Sequence, residues 1–309
     1  MTSHAPLTGL AIGDSLGMPF EMESPLSVKL SSWTGGYQSS SSNPINRNLK
    51  PGQFTDDTQM SIALAKAILE NNYYEPSLAA SKYLAWFTSG DCRGIGTTTR
   101  IAMMNIAQGK SLSTCGVEGA EGNGTAMRAA PIGAHQSKGV ERFRAAAYWA
   151  RMDAELTHRS VEASEGSAAI AVATSHLCSE GRKEDLLTTV LEHVQKSQVR
   201  VGIENLHRAI RRGDSLQDFL KTQEWLLSGV SGHVIQSVPA AFTIFAYSDN
   251  FEETVQNAVR LGGDTDTVAA MAGALAGSYY GIEGIPKALL LPLESASDLR
   301  DLELRLLAS

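Results

Sequence analysis

The sequence predicts an all-α domain, and three observations carry that reading. Apolar residues recur at helical spacing through most of the chain, as in Met60, Ala63, Leu64, Ala67 and Ile68. Strand-like alternation is almost absent. No linker or shift of composition divides the 309 residues, so residues 1–309 are expected to form one domain.

From Leu7 to Met18 the chain reads as an apolar helix with Gly9, Gly13 and Gly17 at i, i+4 and i+8. An interior glycine costs a helix about 1 kcal/mol against alanine, so a stripe of three implies that a second helix comes close. Gly273, Gly277 and Gly281 form a matching stripe in the last long apolar segment, and the two helices are expected to pack, joining the ends of the chain. Asp14, inside the first stripe, reads as a buried carboxylate bonded to nearby backbone. Pro19 closes that helix and leaves Glu21 on the loop behind it, where a solvent-facing acid is its plainest reading.

Residues 31–53, dominated by Ser, Gly, Asn and Pro and including Ser39-Ser40-Ser41-Ser42, form a long surface loop. Such a loop is either an idle excursion or a lid. Because it joins Glu21 to Thr55-Asp56-Asp57-Thr58, it is expected to border any site built there. The amphipathic stripe from Met60 follows, which puts Thr55, Asp56 and Asp57 at a helix N-terminus. Successive residues there diverge by about 100°, so the two aspartates can serve different ions or different sides of one.

Tyr83 to Phe87 suggests a further buried helix. Arg93-Gly94-Ile95-Gly96-Thr97-Thr98-Thr99 is a short glycine loop before a helix over Thr98 to Gln108, and its N–H groups suit phosphate oxygens. No strand-helix-strand pattern follows, which argues against a dinucleotide fold. A second glycine loop, Glu118 to Pro131, holds Asn123, Gly124, Thr125, Met127 and Arg128. Arg128 fits either a surface pair or a half-buried place beside Ala126 and Met127.

Helices over Val140 to Met152 and Ser160 to Leu177 are joined by Thr157-His158, with Thr157 a credible N-cap and His158 either structural or a ligand contact. Four more stripes follow, through Leu186 and Val190, Ile203 and Leu206, Val238 and Phe242, and Val255 and Val259. Pro239 is expected to kink its helix or mark the first turn.

Gly262-Gly263-Asp264-Thr265-Asp266-Thr267 then opens the last buried helix, its paired glycines allowing close backbone approach to a ligand. One acidic claw before a helix is ordinary capping. Two, each with more acid than a cap requires, point elsewhere. Carboxylates gathered at one buried place repel by several kcal/mol per pair even at an effective dielectric of about 20. Neither motif contains Lys or Arg, so metal ions are the economical source of positive charge. All-oxygen donors favour Mg²⁺ or Mn²⁺ over zinc and leave Ca²⁺ open. Thr55, Asp56, Asp57, Asp264, Asp266 and Thr267 would supply two ions sharing a carboxylate.

The ordered set Gly13-Asp14-Ser15-Leu16-Gly17-Met18-Pro19-Phe20-Glu21, Phe54-Thr55-Asp56-Asp57-Thr58, Gly122-Asn123-Gly124-Thr125-Ala126-Met127-Arg128, Thr157-His158 and Gly262-Gly263-Asp264-Thr265-Asp266-Thr267 resembles the ADP-ribosylglycohydrolases. These blocks run from residue 9 to about residue 281 in the family's order. The resemblance implies an orthogonal multi-helix fold and a metal-dependent hydrolase with two Mg²⁺ or Mn²⁺ ions. Its substrate would be ADP-ribose attached to a protein or other conjugate, with free ADP-ribose as product. It also implies that the ribose diol lies at the metals, with the rest of the ligand held by Arg93, Gly94, Gly96, Thr97, Asn123, Gly124, Thr125, Met127, Arg128 and His158. Glu21 would be the carboxylate that handles the proton, or a further metal ligand. Rival readings are an ADP-ribose-binding module without turnover and a binuclear-metal phosphoesterase, whose sites usually recruit histidines as well.

A formal charge of −7 argues against a broad nucleic-acid surface. Three cysteines without CxxC spacing, no leader pattern and no membrane-length apolar run lead to the expectation of a cytoplasmic monomer.

Overall fold

The computed structural model describes residues 4–40, 43, 45, 46 and 48–309; Ser41 and Ser42 of the serine run lie outside them. The helices are α1 (Pro6–Gly17), α2 (Pro25–Leu30), α3 (Asp56–Asn71), α4 (Pro76–Phe87), α5 (Thr97–Ala107) and α6 (Ala130–His135). There follow α7 (Arg142–Glu155), α8 (Val161–Cys178), α9 (Leu186–His193), α10 (Gln198–Arg212), α11 (Leu216–Lys221) and α12 (Trp225–Ser228). The chain closes with α13 (Val234–Tyr247), α14 (Phe251–Arg260), α15 (Thr265–Tyr280), α16 (Lys287–Leu290) and α17 (Ala296–Ala308). Two strands of two residues each, β1 (Val117–Glu118) and β2 (His158–Arg159), pair in parallel. They are too short to carry an alternation pattern.

The glycine stripes explain the centre of the fold. Every residue of α1 is buried, as is α15 from Thr265 to Ser278. A Cβ on Gly13 would stand 1.9 Å from the carbonyl oxygen of Ala269, and one on Gly273 would stand 2.2 Å from that of Gly9. The backbones therefore touch where only glycine permits it, and the expected pairing of the two helices holds. Gly281 departs from the expected stripe: with φ +68° it ends α15 instead of packing. The C-terminal helix ties the same pair down, because buried Glu303 accepts hydrogen bonds from the Leu7 and Thr8 N–H groups and the Thr8 hydroxyl. These are the orphan donors of the α1 N-terminus.

The remaining stripes form as expected, with boundaries shifted by one to three residues, except that the helix expected over Tyr83 to Phe87 begins seven residues earlier, at Pro76, and in that stretch only Tyr83 is buried. Met60, Leu64, Ala67 and Ile68 of α3 are buried, as are Val238, Phe242 and Phe245 of α13. Pro239 lies inside α13, beyond its first turn, and the helix runs on past it to Tyr247. No helix among the described residues is long and apolar enough to cross a membrane.

Candidate active site

The first claw sits where α3 begins, yet its carboxylates do not cap that helix. Thr55 is the N-cap residue and makes no capping bond through its side chain. The cap is Asp14, which accepts from the N–H and the hydroxyl of both Thr55 and Thr58 at 2.6 to 3.1 Å. Burial pushes Asp14 up to about 6 in spite of these four donors. Its expected role as a bonded buried carboxylate holds, and it relieves Asp56 and Asp57 of the cap, although the Thr55 hydroxyl also approaches Asp57 Oδ2 at 3.4 Å. Asp57 is buried, and its Oδ1 has no hydrogen-bond partner. A stranded buried carboxylate oxygen is costly without a cation or a proton.

The second claw is set by backbone bridges on both sides. Gly262 and Gly263 both have positive φ, +69° and +78°. Gly263 donates its N–H to the Glu23 carbonyl at 2.7 Å and accepts from Met22 N–H at 2.7 Å, while Val230 N–H bonds Gly262 O and Asp264 N–H bonds Val230 O. A Cβ on Gly263 would fall 2.0 Å from Val230 O. The glycine pair thus makes room for neighbouring backbone, which corrects the expectation that it admits a ligand. Thr265, first residue of α15, turns its hydroxyl to Gly17 O at 2.8 Å, so Asp264 and Asp266 share the other side, as the sequence suggested.

Glu21 leaves the turn after α1 in extended conformation and meets the second claw. Oxygens of Glu21, Asp264 and Asp266 all lie within 4.8 Å of one another. The long loop reaches this point: Asn46 Nδ2 donates to Glu21 Oε2 at 2.6 Å and Asn43 Nδ2 to Glu21 O at 2.9 Å. Neither asparagine carries a sequence signal beyond its place in a polar loop.

Glu21, Asp56, Asp57, Asp264, Asp266 and Thr267 line a cleft of about 250 Å³. Among the described residues no lysine or arginine lines it. Burial, with the charges of neighbouring carboxylates behind it, raises Asp56, Asp57 and Asp266 well above the usual aspartate range. Burial and the nearby Asp264 push Glu21 up to about 7. Five carboxylates converge on hard-oxygen chemistry without a protein cation, and the stranded Asp57 oxygen fits a bound metal ion. Thr55 stands behind this wall, its hydroxyl donating to Asp14 at 2.8 Å. Larger hollows of about 810 and 530 Å³ lie along α7, but their arginines are already paired, Arg144 with Glu141, Arg151 with Glu165 and Arg159 with Glu155.

The opposite wall is made by glycine loops. Gly94, Gly96, Thr97, Gly122, Asn123, Gly124, Met127 and His158 all reach the cleft. Asn123 Nδ2 donates to Asp264 Oδ2 at 2.6 Å, joining this wall to the second claw. Three expected contact residues do not reach it. Arg93 is engaged outside, by Glu294 at 2.6 Å, Asp91 at 2.8 Å and the Phe54 carbonyl. Thr125 is buried and spends its hydroxyl on Ala163 O at 2.8 Å. Arg128 is fully buried behind the wall, paired with Asp153 at 2.8 Å, which corrects both sequence readings of it. Thr157 is not a cap either; Ser160 caps α8 by accepting from Ala163 N–H. Gly232, which the sequence did not single out, also lines the cleft and accepts from Asn123 N–H at 3.0 Å.

Helices that converge by their acidic N-termini on a glycine-walled cleft define an all-helical protein with a site suited to a hard cation. The chain belongs to the ADP-ribosylglycohydrolase family, whose sequence profile matches residues 4–309. It is 28% identical over 290 residues to the ADP-ribosylarginine hydrolase Tri1 of Serratia proteamaculans, covering 91% of this chain and 72% of that one. It is 26% identical over 318 residues to the ADP-ribosylhydrolase ARH3 of Mus musculus, covering 91% of this chain and 84% of that one. A solved structure described as an ADP-ribosylglycohydrolase-related protein complex superposes with a TM-score of 0.75 at 27% identity, over 98% of this chain and 96% of the other. The protein is accordingly a glycohydrolase enzyme acting on ADP-ribose linkages.

Proposed function

We propose that this enzyme reverses mono-ADP-ribosylation by hydrolysing the bond between the ribose anomeric carbon and a modified side chain or other acceptor, using two Mg²⁺ or Mn²⁺ ions. The supporting observation is the meeting of Glu21, Asp264 and Asp266 oxygens within 4.8 Å on a cleft that no protein cation lines among the described residues. Asp56 and Asp57 on one side and Asp264, Asp266 and Thr267 on the other would hold the ions, with Thr55 behind them, its hydroxyl given to Asp14. Bound there, divalent ions supply positive charge that orients the ribose hydroxyls and makes water a better nucleophile near neutral pH.

The chain's own groups do the rest. Glu21, its pKa pushed up to about 7, takes the proton of the attacking water while the glycosidic bond opens through an oxocarbenium-like state, and then returns that proton to the departing acceptor atom, leaving free ADP-ribose and the unmodified acceptor. Asn46 fixes the carboxylate by its bond to Oε2. The backbone around Gly94, Gly96 and Thr97 and the wall of Asn123, Gly124, Met127 and His158 would receive the diphosphate and the rest of the nucleotide.

The test is a panel of defined ADP-ribose conjugates, each linked through arginine, serine, a phosphate or an acetyl ester, assayed with chelator and with added Mg²⁺ or Mn²⁺. Metal-dependent release of free ADP-ribose from at least one conjugate is expected, and the linkage that turns over names the substrate. Full activity in excess chelator refutes the metal-dependent mechanism. Release of inorganic phosphate would transfer the site to phosphoesters, and tight ADP-ribose binding without any turnover would make the chain a reader.

A further inference from the structure

A line of buried polar groups behind the cleft wall ends on the imidazole of His158. Arg128 donates from Nε to Asp153 Oδ2 at 2.8 Å, from Nη1 to Gly124 O at 2.7 Å, and from Nη2 to Thr157 Oγ1 at 3.0 Å and Asp153 O at 3.1 Å. Tyr83 donates its hydroxyl to Asp153 Oδ1 at 2.9 Å, which anchors the far end. A guanidinium has no acceptor capacity, so Thr157 Oγ1 receives the proton in its contact with Arg128. Thr157 is fully buried, and the other partner of its hydroxyl is His158 Nδ1 at 2.9 Å.

We propose that Arg128 and Thr157 are positioning residues that hold His158 in the neutral tautomer protonated on Nε2, so that the cleft is offered a hydrogen-bond donor and not an acceptor. With the proton on Nδ1, two donors would converge on Thr157 Oγ1 and its own proton would be buried without an acceptor. With the proton on Nε2, the Thr157 hydroxyl donates to Nδ1 and every buried group in the line is satisfied. The outer edge of the ring is kept open by glycine: a Cβ on Gly122 would lie 3.1 Å from Nε2, and one on Gly124 would lie 2.9 Å from Cε1. Burial, together with the Arg128 charge, lowers the His158 pKa to about 3, so the ring donates without being charged. Its acceptor in the cleft is an anionic oxygen of the diphosphate; that assignment rests on the ADP-ribose reading above, whereas the tautomer does not.

The test uses ligand-free protein with ¹⁵N-labelled histidine at pH 7.5, with the His158 signals assigned by comparison with His158→Gln. The expected spectrum has a pyrrole-like Nε2 and a pyridine-like Nδ1. In Thr157→Val both nitrogens should move toward averaged positions and ADP-ribose should bind about tenfold more weakly, while Thr157→Ser should restore both properties. A pyrrole-like Nδ1 in the wild type overturns the proposal, as does a Thr157→Val spectrum that does not move. Should Thr157→Val fail to fold, the wild-type spectrum decides alone. A wild type with the expected spectrum that binds no ADP-ribose would overturn the substrate reading and leave the tautomer standing.

Discussion

Removing one carboxylate from a crowded site separates a metal ligand from an ordinary structural acid. In Asp266→Asn the amide oxygen can keep the bond that Asp266 Oδ1 accepts from Thr267 N–H at 2.9 Å, so little packing is lost. What changes is charge. Two ionised carboxylates within 4.8 Å of one another repel by at least about 3.5 kcal/mol at an effective dielectric of about 20. The metal-free cluster avoids most of this by holding protons, since burial and neighbouring charges raise its aspartates well above their usual range. We therefore expect a relief of only about 1–2 kcal/mol at neutral pH. For a chain of 309 residues, about 1 kcal/mol corresponds to roughly 1.5 °C in midpoint. In excess chelator Asp266→Asn should thus unfold about 2–3 °C above the wild type. Magnesium at a hundredfold its Kd should stabilise the wild type by about 2.7 kcal/mol, near 4 °C, and leave the variant almost unmoved. Thermal unfolding with and without metal measures both. A variant less stable than the wild type in chelator, with an undiminished magnesium shift, would show that Asp266 is a structural acid and that the ligand assignment is wrong.

Glu21→Gln should keep ADP-ribose affinity within a few-fold while slowing turnover by about 10²–10⁴, and steady-state kinetics with an unchanged kcat would reassign the proton transfer. His158, lowered to about 3 by burial, binds its proton far less readily folded than unfolded, so its contribution to stability is complete above about pH 6.5 and is lost as pH falls toward 3. Between pH 7.5 and 5.5 the wild type should lose about 1.4 kcal/mol more than His158→Gln in denaturant titrations, and equal losses would contradict the burial argument. Gly13→Ala would drive a Cβ to 1.9 Å from the Ala269 carbonyl oxygen, backbone against backbone. A loss of about 3 kcal/mol or more is expected, and chemical unfolding showing less than about 1 kcal/mol would mean that α1 and α15 can slide apart cheaply.

Much of this architecture was legible because helices write a period into sequence. The stripe of Met60, Ala63, Leu64, Ala67 and Ile68 needs only its own residues to declare α3, and the two glycine stripes pay for their helix cost only where backbones meet. Features whose partners lie far along the chain were not legible. Arg93 was expected among the ligand contacts until Glu294, 201 residues away, proved to hold it. Arg128 stood beside apolar Ala126 and Met127, which hinted at burial, but nothing in the sequence marked Asp153, 25 residues on, as its partner. Asn46 and Gly232 sit in segments with no periodic constraint, so nothing local marked them as neighbours of Glu21 and Asp264.

The two claws illustrate why a local rule can fail in an informative way. Acid at a helix start ordinarily satisfies the orphan N–H groups of that helix. Here α3 takes its cap from Asp14, 41 residues earlier, and Asp264 at the start of α15 makes no capping bond through its side chain. A fold that supplies the cap of α3 from elsewhere spares its own acids that duty, and at α15 the backbone bond on the cluster is the one that Asp266 Oδ1 accepts from Thr267 N–H, which leaves Asp264 free of capping. It also aims two positive helix ends at the same cleft, which eases the gathering of acid there. That easing is small beside the repulsion of five carboxylates of which Asp56, Asp57 and Asp266 are buried, about 0.3–1 kcal/mol per helix end against several kcal/mol per pair. The shortfall is the physical reason to expect cations in the cleft, and it follows from the packing of α1 on α15, because that packing brings Asp14 under α3 and Glu21 beside Asp266.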